Sequence, residues 1–390
     1  MKLLIYARDW APSVGGVQTI VKTLADGLAD WSSGHSEAPI EVTLLTQTPA
    51  GGMNDSQLGY RVIRNPGVMD FVREIRKADV VHLAGPTLVP LIIGYLLRKP
   101  TVIEHHGYQA NCPNGLLFKQ PSQTLCPGHF AARQYNECLR CCSSIQGPVG
   151  ALRTLLLTFL RRWLSGKLPA NIMISNHLGM RLGLPRSKTI YYGIPDAPLV
   201  RIEDMLLASN VFEVAYVGRL VAEKGLPLLL KAAKSLQEEG VTFNLIFIGG
   251  GPEQDRLEQM VVRMGLRDLV SFTGDLRGVQ LEEMVSKIDV VVMPSMWEET
   301  AGLSAIEQMM RGRVVVTTDV GGLGEVVGDA GLKFALGDWV SLASCVKKVA
   351  GNRDFARSLG LAARSRAMQL FRKDNMIQAH IRLYREVLLR

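Results

Sequence analysis

The sequence lacks any uninterrupted apolar run of the roughly 20 residues that a membrane-spanning helix needs. Its longest candidate, residues 88–97, contains Pro90 and Gly94 and stops at Arg98-Lys99. The first residues form a short apolar segment broken by charge, without the long apolar core of a secretory signal. These absences predict a cytoplasmic protein without a membrane span.

Acidic residues are missing between Glu137 and Asp196. Basic residues are frequent in the same window, namely Arg140, Arg153, Arg161, Arg162, Lys167, Arg181, Arg186 and Lys188. Together with the formal net charge of +8, this imbalance favours an anionic partner. Nucleic acid is not the expected one, because no recognised nucleic-acid-binding module accompanies the basic residues.

Length and composition indicate a folded protein of two domains. The 390 residues exceed one ordinary core, and 47% apolar with 21% charged residues is typical of a globular protein. Short β-rich runs alternate with helical patterns, which predicts parallel βαβ units. The predicted strands are Lys2–Ala7, Glu41–Thr46, Val80–Leu83, Thr101–Glu104, Asn171–Ile174, Glu213–Val217, Asn244–Gly249, Val270–Gly274, Val290–Pro294 and Val314–Thr318.

A break near Gly193–Pro198, with two prolines and a glycine, suits a linker between domains. We therefore predict an α/β fold of two Rossmann-like domains that face a cleft. The first domain is predicted at residues 1–196, with a cysteine-rich insert at 108–145, and the second at residues 197–374. A C-terminal helix is predicted at residues 375–390.

The segment from Pro294 to Glu307 gives the strongest indication of a binding site. An apolar run ending at Met293 predicts a buried strand, and a helix is expected to open near Gly302. Glu299 lies in the loop and Glu307 in the helix, with seven residues between them. At the carboxyl end of a parallel strand, two carboxylates can accept hydrogen bonds from sugar or ribose hydroxyls, and the helix N-terminus can bind a phosphate. The alternative is a pair of solvated charges, although Glu307 stands among apolar residues.

Glycine-rich turns and two cations follow other predicted strands. Gly15-Gly16 follows the first strand, and Gly218-Arg219 with Lys224 follows the strand that opens the second domain. Arg219 and Lys224 could clamp a diphosphate, and Gly249-Gly250-Gly251 could let the backbone approach a flat or phosphorylated ligand. Exposed surface cations and ordinary turns are the alternatives, and Gly15-Gly16 lacks the third glycine of a dinucleotide-binding fingerprint.

Taken in order, these elements resemble the family-four glycosyltransferases. The elements that carry the resemblance are Gly15-Gly16, His106-Gly107, Ser175, Gly218-Arg219, Lys224-Gly225, Gly249-Gly250-Gly251-Pro252 and the segment from Glu299 to Glu307 with Gly302-Leu303. The resemblance implies the two-domain fold called GT-B. It also implies retaining transfer of a sugar from a nucleotide-diphosphate sugar to a hydroxyl acceptor, a glycan or glycolipid, without a catalytic metal.

The resemblance implies a role for each matching residue. Arg219 and Lys224 would hold the donor diphosphate and stabilise charge on the leaving group. Glu307 would accept hydrogen bonds from the ribose, Glu299 would contact the donor sugar, and His106 would lie near that sugar. The backbone would complete the donor site at Gly15, Gly16, Gly218, Gly250, Gly251, Gly302 and Leu303.

Two positions depart from the family pattern. Thr300-Ala301 replaces the usual Gly-Phe beside Glu299, so the contacts to the donor sugar are less firmly predicted than the ribose contact of Glu307. Tyr192 stands where an asparagine is common, and the sequence gives no physical reason for this change.

Five of the six cysteines lie between Cys112 and Cys142. Thirteen, eleven and two residues separate Cys112, Cys126, Cys138 and Cys141, and the final pair suits half of a tetrahedral metal site. We favour structural zinc at these four cysteines. Reduced cysteines without metal and an iron–sulfur cluster are the alternatives, whereas disulfides are not expected in a cytoplasmic chain.

A basic amphipathic helix is predicted from Leu152 to Leu168. It combines a row of apolar residues, including Trp163, with four cations, Arg153, Arg161, Arg162 and Lys167. Such a helix suits an anionic membrane surface, which would make the acceptor lipid-linked and the protein peripheral on the inner membrane face. A helix that packs on the first domain is the equally favoured alternative.

Two other functions stay open. An inactive nucleotide-sugar-binding scaffold would bind the donor without turnover, and another GT-B enzyme, such as a sugar-nucleotide epimerase, would share the fold. The presence of Arg219, Lys224, Glu299 and Glu307 argues against the scaffold, and the spacing of the two glutamates disfavours the epimerase.

Overall fold

The computed structural model describes residues 1–34, 39–119, 121–197 and 211–389. The chain divides into two compact units, here called the first unit and the second unit. Of the described residues, the first unit contains those of Met1–Leu117, Cys126–Pro195 and Leu370–Arg390, and the second those of Phe118–Leu125 and Asp196–Gln369. The end of the chain thus belongs to the first unit. Pro198 of the predicted linker and Arg390 of the predicted terminal helix lie outside the described residues.

Strands and helices alternate along most of the chain. The strands are β1 (Lys2–Tyr6), β2 (Glu41–Thr46), β3 (Arg61–Arg64), β4 (Val80–Ala84), β5 (Thr101–His105), β6 (Phe118–Lys119), β7 (Thr124–Leu125), β8 (Ala170–Met173), β9 (Ser187–Thr189), β10 (Phe212–Val217), β11 (Phe243–Ile248), β12 (Val270–Gly274), β13 (Val290–Met293), β14 (Val314–Thr318) and β15 (Leu332–Phe334). The helices are α1 (Gly16–Gly34), α2 (Val68–Lys77), α3 (Leu88–Leu96), α4 (Tyr135–Ser165), α5 (Asn176–Leu182), α6 (Leu226–Glu238), α7 (Gln254–Arg263), α8 (Gly278–Ser286), α9 (Leu303–Met310), α10 (Gly321–Val327), α11 (Trp339–Ala350), α12 (Arg353–Leu370) and α13 (Lys373–Leu388). Short 3-10 turns lie at Asp55–Gln57 and Ala222–Lys224.

The first unit is built on a parallel sheet with the strand order β3-β2-β1-β4-β5-β8-β9. In its inner strand β1, Leu3, Leu4 and Ile5 are all buried. A continuous apolar run is what a strand needs when helices cover both faces of the sheet. None of the described helices combines the length and the apolarity that crossing a bilayer requires.

The C-terminal helix α13 packs against α1 and against β4. Its close approach to α1 depends on Gly27, where a Cβ atom would lie 2.6 Å from Cδ1 of Ile377. Buried residues of α13 face this contact, among them Ile381 and Tyr384. The helix predicted at residues 375–390 is therefore present, and it completes the core of the first unit.

The second unit is built on a parallel sheet with the order β12-β11-β10-β13-β14-β15. After β12 the chain crosses β10 and continues on its other side with β13. Such a reversal creates a crevice at the carboxyl ends of the central strands, where ligands bind in α/β folds. A cluster of buried side chains fills the core, including Leu230, Phe247 and Val316.

The sequence predicted the central strands and one edge strand, β12, and missed the other three edge strands of the two large sheets. All ten predicted strands are present, with ends that differ by at most one residue. The strands β3, β9 and β15, each at an edge of its sheet, were not predicted. The helix predicted from Leu152 is the second part of α4, which begins at Tyr135 and is kinked at Gly147.

Candidate functional site in the second unit

The predicted donor residues of the second unit follow the carboxyl ends of three neighbouring strands. Arg219 follows β10, Gly250 and Gly251 follow β11, and Glu299 follows β13. These positions border the reversal of strand order between β12 and β13. The topology thus brings together residues that lie up to eighty positions apart in the sequence.

An ion pair joins Lys224 to Glu299. Nζ of Lys224 lies 2.8 Å from Oε1 of Glu299, and the two side chains are 18% and 6% exposed. The Ser295 hydroxyl also donates to this carboxylate, and the amide of Gly322 donates to the Glu299 carbonyl at 2.6 Å. The pair is therefore held from both sides. Because an ammonium has three donors, Lys224 can keep Glu299 and still bind an anion.

A close backbone contact fixes the position of Lys224. Lys224 ends the 3-10 turn Ala222–Lys224, and α6 begins at Leu226. Between them Gly225 has φ of +66°, and a Cβ atom there would lie 2.1 Å from the Pro294 carbonyl oxygen. Glycine at this position lets the Lys224 turn pack directly on the loop that carries Glu299.

Arg219 is exposed, and its backbone is anchored. The Tyr216 hydroxyl donates to the Arg219 carbonyl at 2.8 Å. Burial, together with the nearby charges of Glu299 and Glu223, raises the pKa of Tyr216 well above its ordinary value, so this hydroxyl remains a donor. Among the described residues, the Arg219 guanidinium has no ion-pair or hydrogen-bond partner and can meet an anion from solvent.

The glycines after β11 meet the loop after β10. A Cβ atom at Gly249 would lie 2.1 Å from the Gly218 carbonyl oxygen, and one at Gly251 would lie 2.3 Å from that of Leu220. The amide of Gly250 donates to Asp275 at 2.8 Å. Packing between the two loops therefore requires glycine at positions 249 and 251, whether or not a ligand binds there.

Glu307 is the second carboxylate of the site. It lies on α9 among the buried residues Ala305, Ile306 and Met309, and burial raises the pKa of its carboxyl, with the Glu282 charge adding to the rise and Arg311 opposing it. The guanidinium of Arg311 donates hydrogen bonds to the Glu307 backbone carbonyl and to the Glu282 carboxylate. In the described part of the chain, the Glu307 carboxylate itself has no hydrogen-bond partner. A ligand hydroxyl would supply one.

The N-terminus of α9 lies between the two glutamates. Gly302 caps this helix with φ of +92°, and a Cβ atom there would lie 2.5 Å from Cδ1 of Leu323. The cap has no side chain to bind the first amides, including that of Leu303. These amides carry the positive end of the helix dipole, which suits a phosphate or sugar oxygen.

In the first unit, His106 is bonded to Tyr192. Nδ1 of His106 lies 2.9 Å from the Tyr192 hydroxyl, and the two rings stack with centroids 5.8 Å apart. Burial lowers the pKa of His106 to about 4, which keeps the imidazole neutral near pH 7. The structure thus explains the tyrosine that departs from the family pattern: Tyr192 is buried and holds His106.

Gly15 and Gly16 lie where β1 leads into α1, which begins at Gly16. A Cβ atom at Gly15 would lie 2.5 Å from Oε1 of Gln18. That neighbour is the end of a flexible side chain, so packing alone does not demand glycine here. The roles predicted for these two glycines, and for His106, remain predictions.

The four predicted zinc ligands lie near one another. Cys138 and Cys141 are three residues apart on α4, which places them on one face of the helix. Burial raises the pKa of Cys138 to about 12, and the negative charges that Cys112, Cys126 and Cys141 would carry add to the rise. Four cysteine thiols are a donor set that suits tetrahedral zinc. Among the described residues, however, no three cysteine sulfurs lie within 4.8 Å of one another, so the thiols would have to close around an ion.

Three side chains around Lys224 and Glu299 were not predicted from the sequence. Ser295 donates to Glu299, Tyr216 holds the Arg219 backbone, and the Trp297 ring lies 5.8 Å from Nζ of Lys224. Ser295 and Trp297 belong to the segment that the sequence singled out. Their polar and aromatic side chains beside Glu299 were a signal that could have been used.

One segment of the chain matches a known glycosyltransferase family. Residues 202–366 match the model of the family described as Glycosyl transferases group 1. The resemblance to glycosyltransferases inferred from the sequence is confirmed for this segment of the chain.

Individual relatives match only part of the chain. The 2-deoxystreptamine glucosyltransferase of Streptomyces kanamyceticus is 36% identical over 138 residues, 35% of each chain. The glycogen synthase of Mycobacterium tuberculosis is 32% identical over 174 residues, which are 44% of this chain and 42% of the synthase. The chain thus matches less than half the length of these relatives.

Solved structures match the whole chain in fold. HepE of Anabaena, in complex with UDP-glucose, has a TM-score of 0.72 at 19% identity, covering 99% of this chain and 100% of HepE. Sucrose-phosphate synthase from Thermosynechococcus elongatus has a TM-score of 0.72 at 19% identity, and the match covers 100% of this chain and 99% of the synthase. The protein therefore has the predicted GT-B fold.

Proposed function

We propose that this protein is a retaining glycosyltransferase that moves a hexose-type sugar from a nucleotide-diphosphate sugar to a hydroxyl acceptor. One arrangement carries the proposal. A cation, Lys224, is held by a buried carboxylate, Glu299, after the carboxyl end of β13. A second carboxylate, Glu307, follows on α9 and has no hydrogen-bond partner among the described residues. Cations suit a diphosphate and carboxylates suit hydroxyl groups, which are the two chemistries of a nucleotide-diphosphate sugar.

In the proposed reaction, the bond between the anomeric carbon and the diphosphate oxygen breaks, and its electron pair goes to the oxygen. Arg219 and Lys224 stabilise the charge that develops there, so no divalent ion is needed at the diphosphate. The acceptor oxygen forms the new bond to the anomeric carbon and releases its proton to the departing diphosphate. Lys224 stays bound to Glu299 while it contacts the leaving group.

The two glutamates have different roles in this proposal. Glu307 accepts hydrogen bonds from the ribose hydroxyls, because burial raises its pKa and its carboxylate has no hydrogen-bond partner in the described part of the chain. Glu299 orients Lys224 and uses its remaining lone pairs for a sugar hydroxyl. His106 of the first unit, held neutral by burial, can donate or accept a hydrogen bond without bringing a charge.

Donor turnover with matched variants tests the proposal. Nucleotide-diphosphate sugars are first screened by thermal shift, because binding to the native state raises the melting temperature. Release of the nucleoside diphosphate is then measured for the wild type, Lys224→Ala and Glu307→Ala, with Lys234→Ala and Glu258→Gln as controls on exposed helix positions. We expect loss of turnover in the first two variants and wild-type rates in the controls. Full activity of either site variant, or donor binding that never leads to turnover, would contradict the proposal.

The acceptor class is proposed from the surface of α4. After the kink at Gly147, five apolar residues are between 39% and 84% exposed, namely Val149, Leu152, Leu156, Phe159 and Trp163. Their spacing of three and four residues places them in one stripe along the helix. An exposed apolar stripe on a helix indicates a surface that contacts another protein or a membrane.

Charge favours an anionic membrane as the partner of this stripe. Arg153 is exposed on α4 and Lys167 is exposed just after its end, and neither has an ion-pair partner among the described residues. Other cations of the basic window serve the fold instead. Arg162 donates to the Leu182 carbonyl at 2.8 Å, and Arg186 donates to the Leu168 carbonyl at 2.6 Å. We propose that α4 lies on an anionic membrane surface and that the acceptor is a lipid-linked glycan or glycolipid.

Vesicle sedimentation tests the membrane proposal. The wild type should sediment with vesicles that contain an anionic phospholipid and far less with purely zwitterionic ones. Leu156→Glu should abolish sedimentation, whereas Leu361→Glu, which changes a leucine of similar exposure on α12, should not. Sedimentation that is unchanged in Leu156→Glu, or a stable dimer in solution that buries this stripe, would contradict the proposal.

A further inference from the structure

A buried cluster in the first unit combines two imidazoles and a carboxylate. His82 lies on β4, Glu104 on β5 and His380 on α13, and the three side chains are at most 1% exposed. Nε2 of His82 is 3.2 Å and Nε2 of His380 is 3.9 Å from Oε2 of Glu104. Among the described residues, this is the one group of three whose potential metal-ligand atoms all lie within 4.8 Å of one another.

The atoms that face one another in this cluster have no hydrogen bonds. Within the described part of the chain, this holds for Nε2 of His82, Nε2 of His380 and both carboxylate oxygens of Glu104. A buried polar atom without a partner destabilises a protein by about 1–3 kcal/mol, and more when it is charged. Four such atoms at one place indicate a missing partner, and a cation between the side chains would be a partner for both imidazole nitrogens and for Oε2 of Glu104.

The Nδ1 atoms of the two imidazoles, which point away from Glu104, both have hydrogen-bond partners. Nδ1 of His380 lies 2.9 Å from the Met376 carbonyl oxygen, and Nδ1 of His82 lies 2.9 Å from the Tyr384 hydroxyl. Because a carbonyl only accepts hydrogen bonds, Nδ1 of His380 carries the proton, and the neutral ring turns a lone pair at Nε2 toward Glu104. A histidine that binds a metal through one nitrogen usually donates from the other in this manner.

A lone pair and a carboxylate that face each other in a buried site repel unless a proton or a cation lies between them. The distances suit an ion. With zinc bonds of about 2.1 Å, tetrahedral geometry separates the ligand atoms by roughly 3.4 Å. The observed separations of 3.2 and 3.9 Å differ from that value by a few tenths of an ångström.

We propose that His82, Glu104 and His380 form a binding site for a divalent first-row transition-metal ion, with Zn²⁺ as the expected occupant. Two imidazole nitrogens and a carboxylate oxygen are a donor set that Zn²⁺ accepts. The ion would join the C-terminal helix α13 to the central strands β4 and β5. It would also fix Glu104, whose Oε2 lies 3.8 Å from Nε2 of His106. The site is independent of the proposed transfer reaction.

Metal analysis of the full chain tests this site. The protein is purified without a metal-affinity step, and its zinc content is compared between the wild type and His380→Gln. We expect the variant to hold about one zinc ion per chain fewer than the wild type. The control His105→Gln, which changes a buried histidine on β5 that binds Asn171 instead, should keep the wild-type content. Equal metal content in the wild type and His380→Gln would overturn the proposal.

A spectroscopic measurement covers the case in which His380→Gln does not fold. The variant Cys138→Ser/Cys141→Ser, which lacks half of the other candidate zinc site, is refolded in a chelator and then given Co²⁺. Binding with ligand-field bands, without thiolate-to-cobalt charge transfer and with a raised melting temperature, is the expected result. Failure to bind Co²⁺, or a melting temperature that neither Co²⁺ nor Zn²⁺ changes, would overturn the proposal.

Discussion

Replacing Lys224 with methionine separates the structural role of this cation from its proposed catalytic role. The ammonium of Lys224 lies 2.8 Å from Glu299, whose side chain is 6% exposed. Without the ammonium, the Ser295 hydroxyl is the one side-chain partner that this carboxylate keeps among the described residues. A buried charge is then left with one neutral donor.

The expected loss of folding stability follows from the burial of the ion pair. Removing one partner of a buried ion pair destabilises a protein by about 3–5 kcal/mol. Because the Lys224 side chain is 18% exposed, we expect the lower end, about 3 kcal/mol, which lowers the melting temperature of a domain of this size by about 6–12 °C. Adding Glu299→Gln removes the unpaired charge, so the double variant should regain most of this stability.

We expect the double variant to regain stability but not glycosyl transfer. Losing a group that stabilises the leaving-group charge lowers kcat by about 10²–10³-fold. Thermal unfolding and nucleotide release are measured for the wild type, Lys224→Met and Lys224→Met/Glu299→Gln, with Lys234→Met as the control at an exposed position of α6. A double variant with wild-type transfer, or a single variant with an unchanged melting temperature, would refute this reasoning.

Three further predictions concern Glu307, Gly225 and the cysteines. Burial raises the pKa of Glu307, so its ionised carboxyl destabilises the ligand-free protein above that raised pKa and has no such effect below its ordinary pKa. Glu307→Gln should therefore raise the melting temperature at about pH 8, leave it unchanged at about pH 4, and still weaken donor binding in calorimetry. Gly225→Ala should destabilise the protein by about 1–3 kcal/mol in urea unfolding, more than the control Gly240→Ala, which has a similar φ and no atom within 4 Å of the added Cβ. Cys138→Ser should lose about one zinc ion per chain in metal analysis, whereas Cys345→Ser, outside the cysteine cluster, should lose none.

Central strands could be predicted from the sequence because burial on both faces requires an uninterrupted apolar run. Val290–Met293 and Val314–Thr318 are buried throughout, and both were predicted. The edge strand Ser187–Thr189 is exposed at every residue and polar, so its sequence resembles a loop. Arg61–Arg64 likewise begins and ends with a charged residue. What defines these edge strands is pairing with a neighbour, which no local pattern records.

The site could be predicted in its residue types and not in its contacts. Glycines, cations and glutamates that follow successive strands indicated a crevice at the carboxyl ends of a parallel sheet. The ion pair between Lys224 and Glu299 depends on how two loops pack, and Gly225 permits that packing through a contact with Pro294. Nothing local to either residue predicts the other.

The cluster of His82, Glu104 and His380 could not be predicted from the sequence either, because it also depends on contacts between distant residues. Its third member comes from the last helix of the chain and reaches the first two only when α13 packs on β4. The Tyr192 departure likewise gained its explanation only from the contact with His106. Such long-range contacts follow from the fold and not from residue spacing.

Calorimetric titration of nucleoside diphosphates tests the central claim most directly, because it measures the second unit's site without needing the acceptor. UDP, GDP and ADP are titrated into the wild type, Lys224→Met, Glu307→Gln and the control Lys234→Met. The proposal predicts that one nucleotide binds the wild type and the control with equal affinity and binds both site variants at least about tenfold more weakly, a change of about 1.4 kcal/mol. Equal affinity for all four proteins would contradict it.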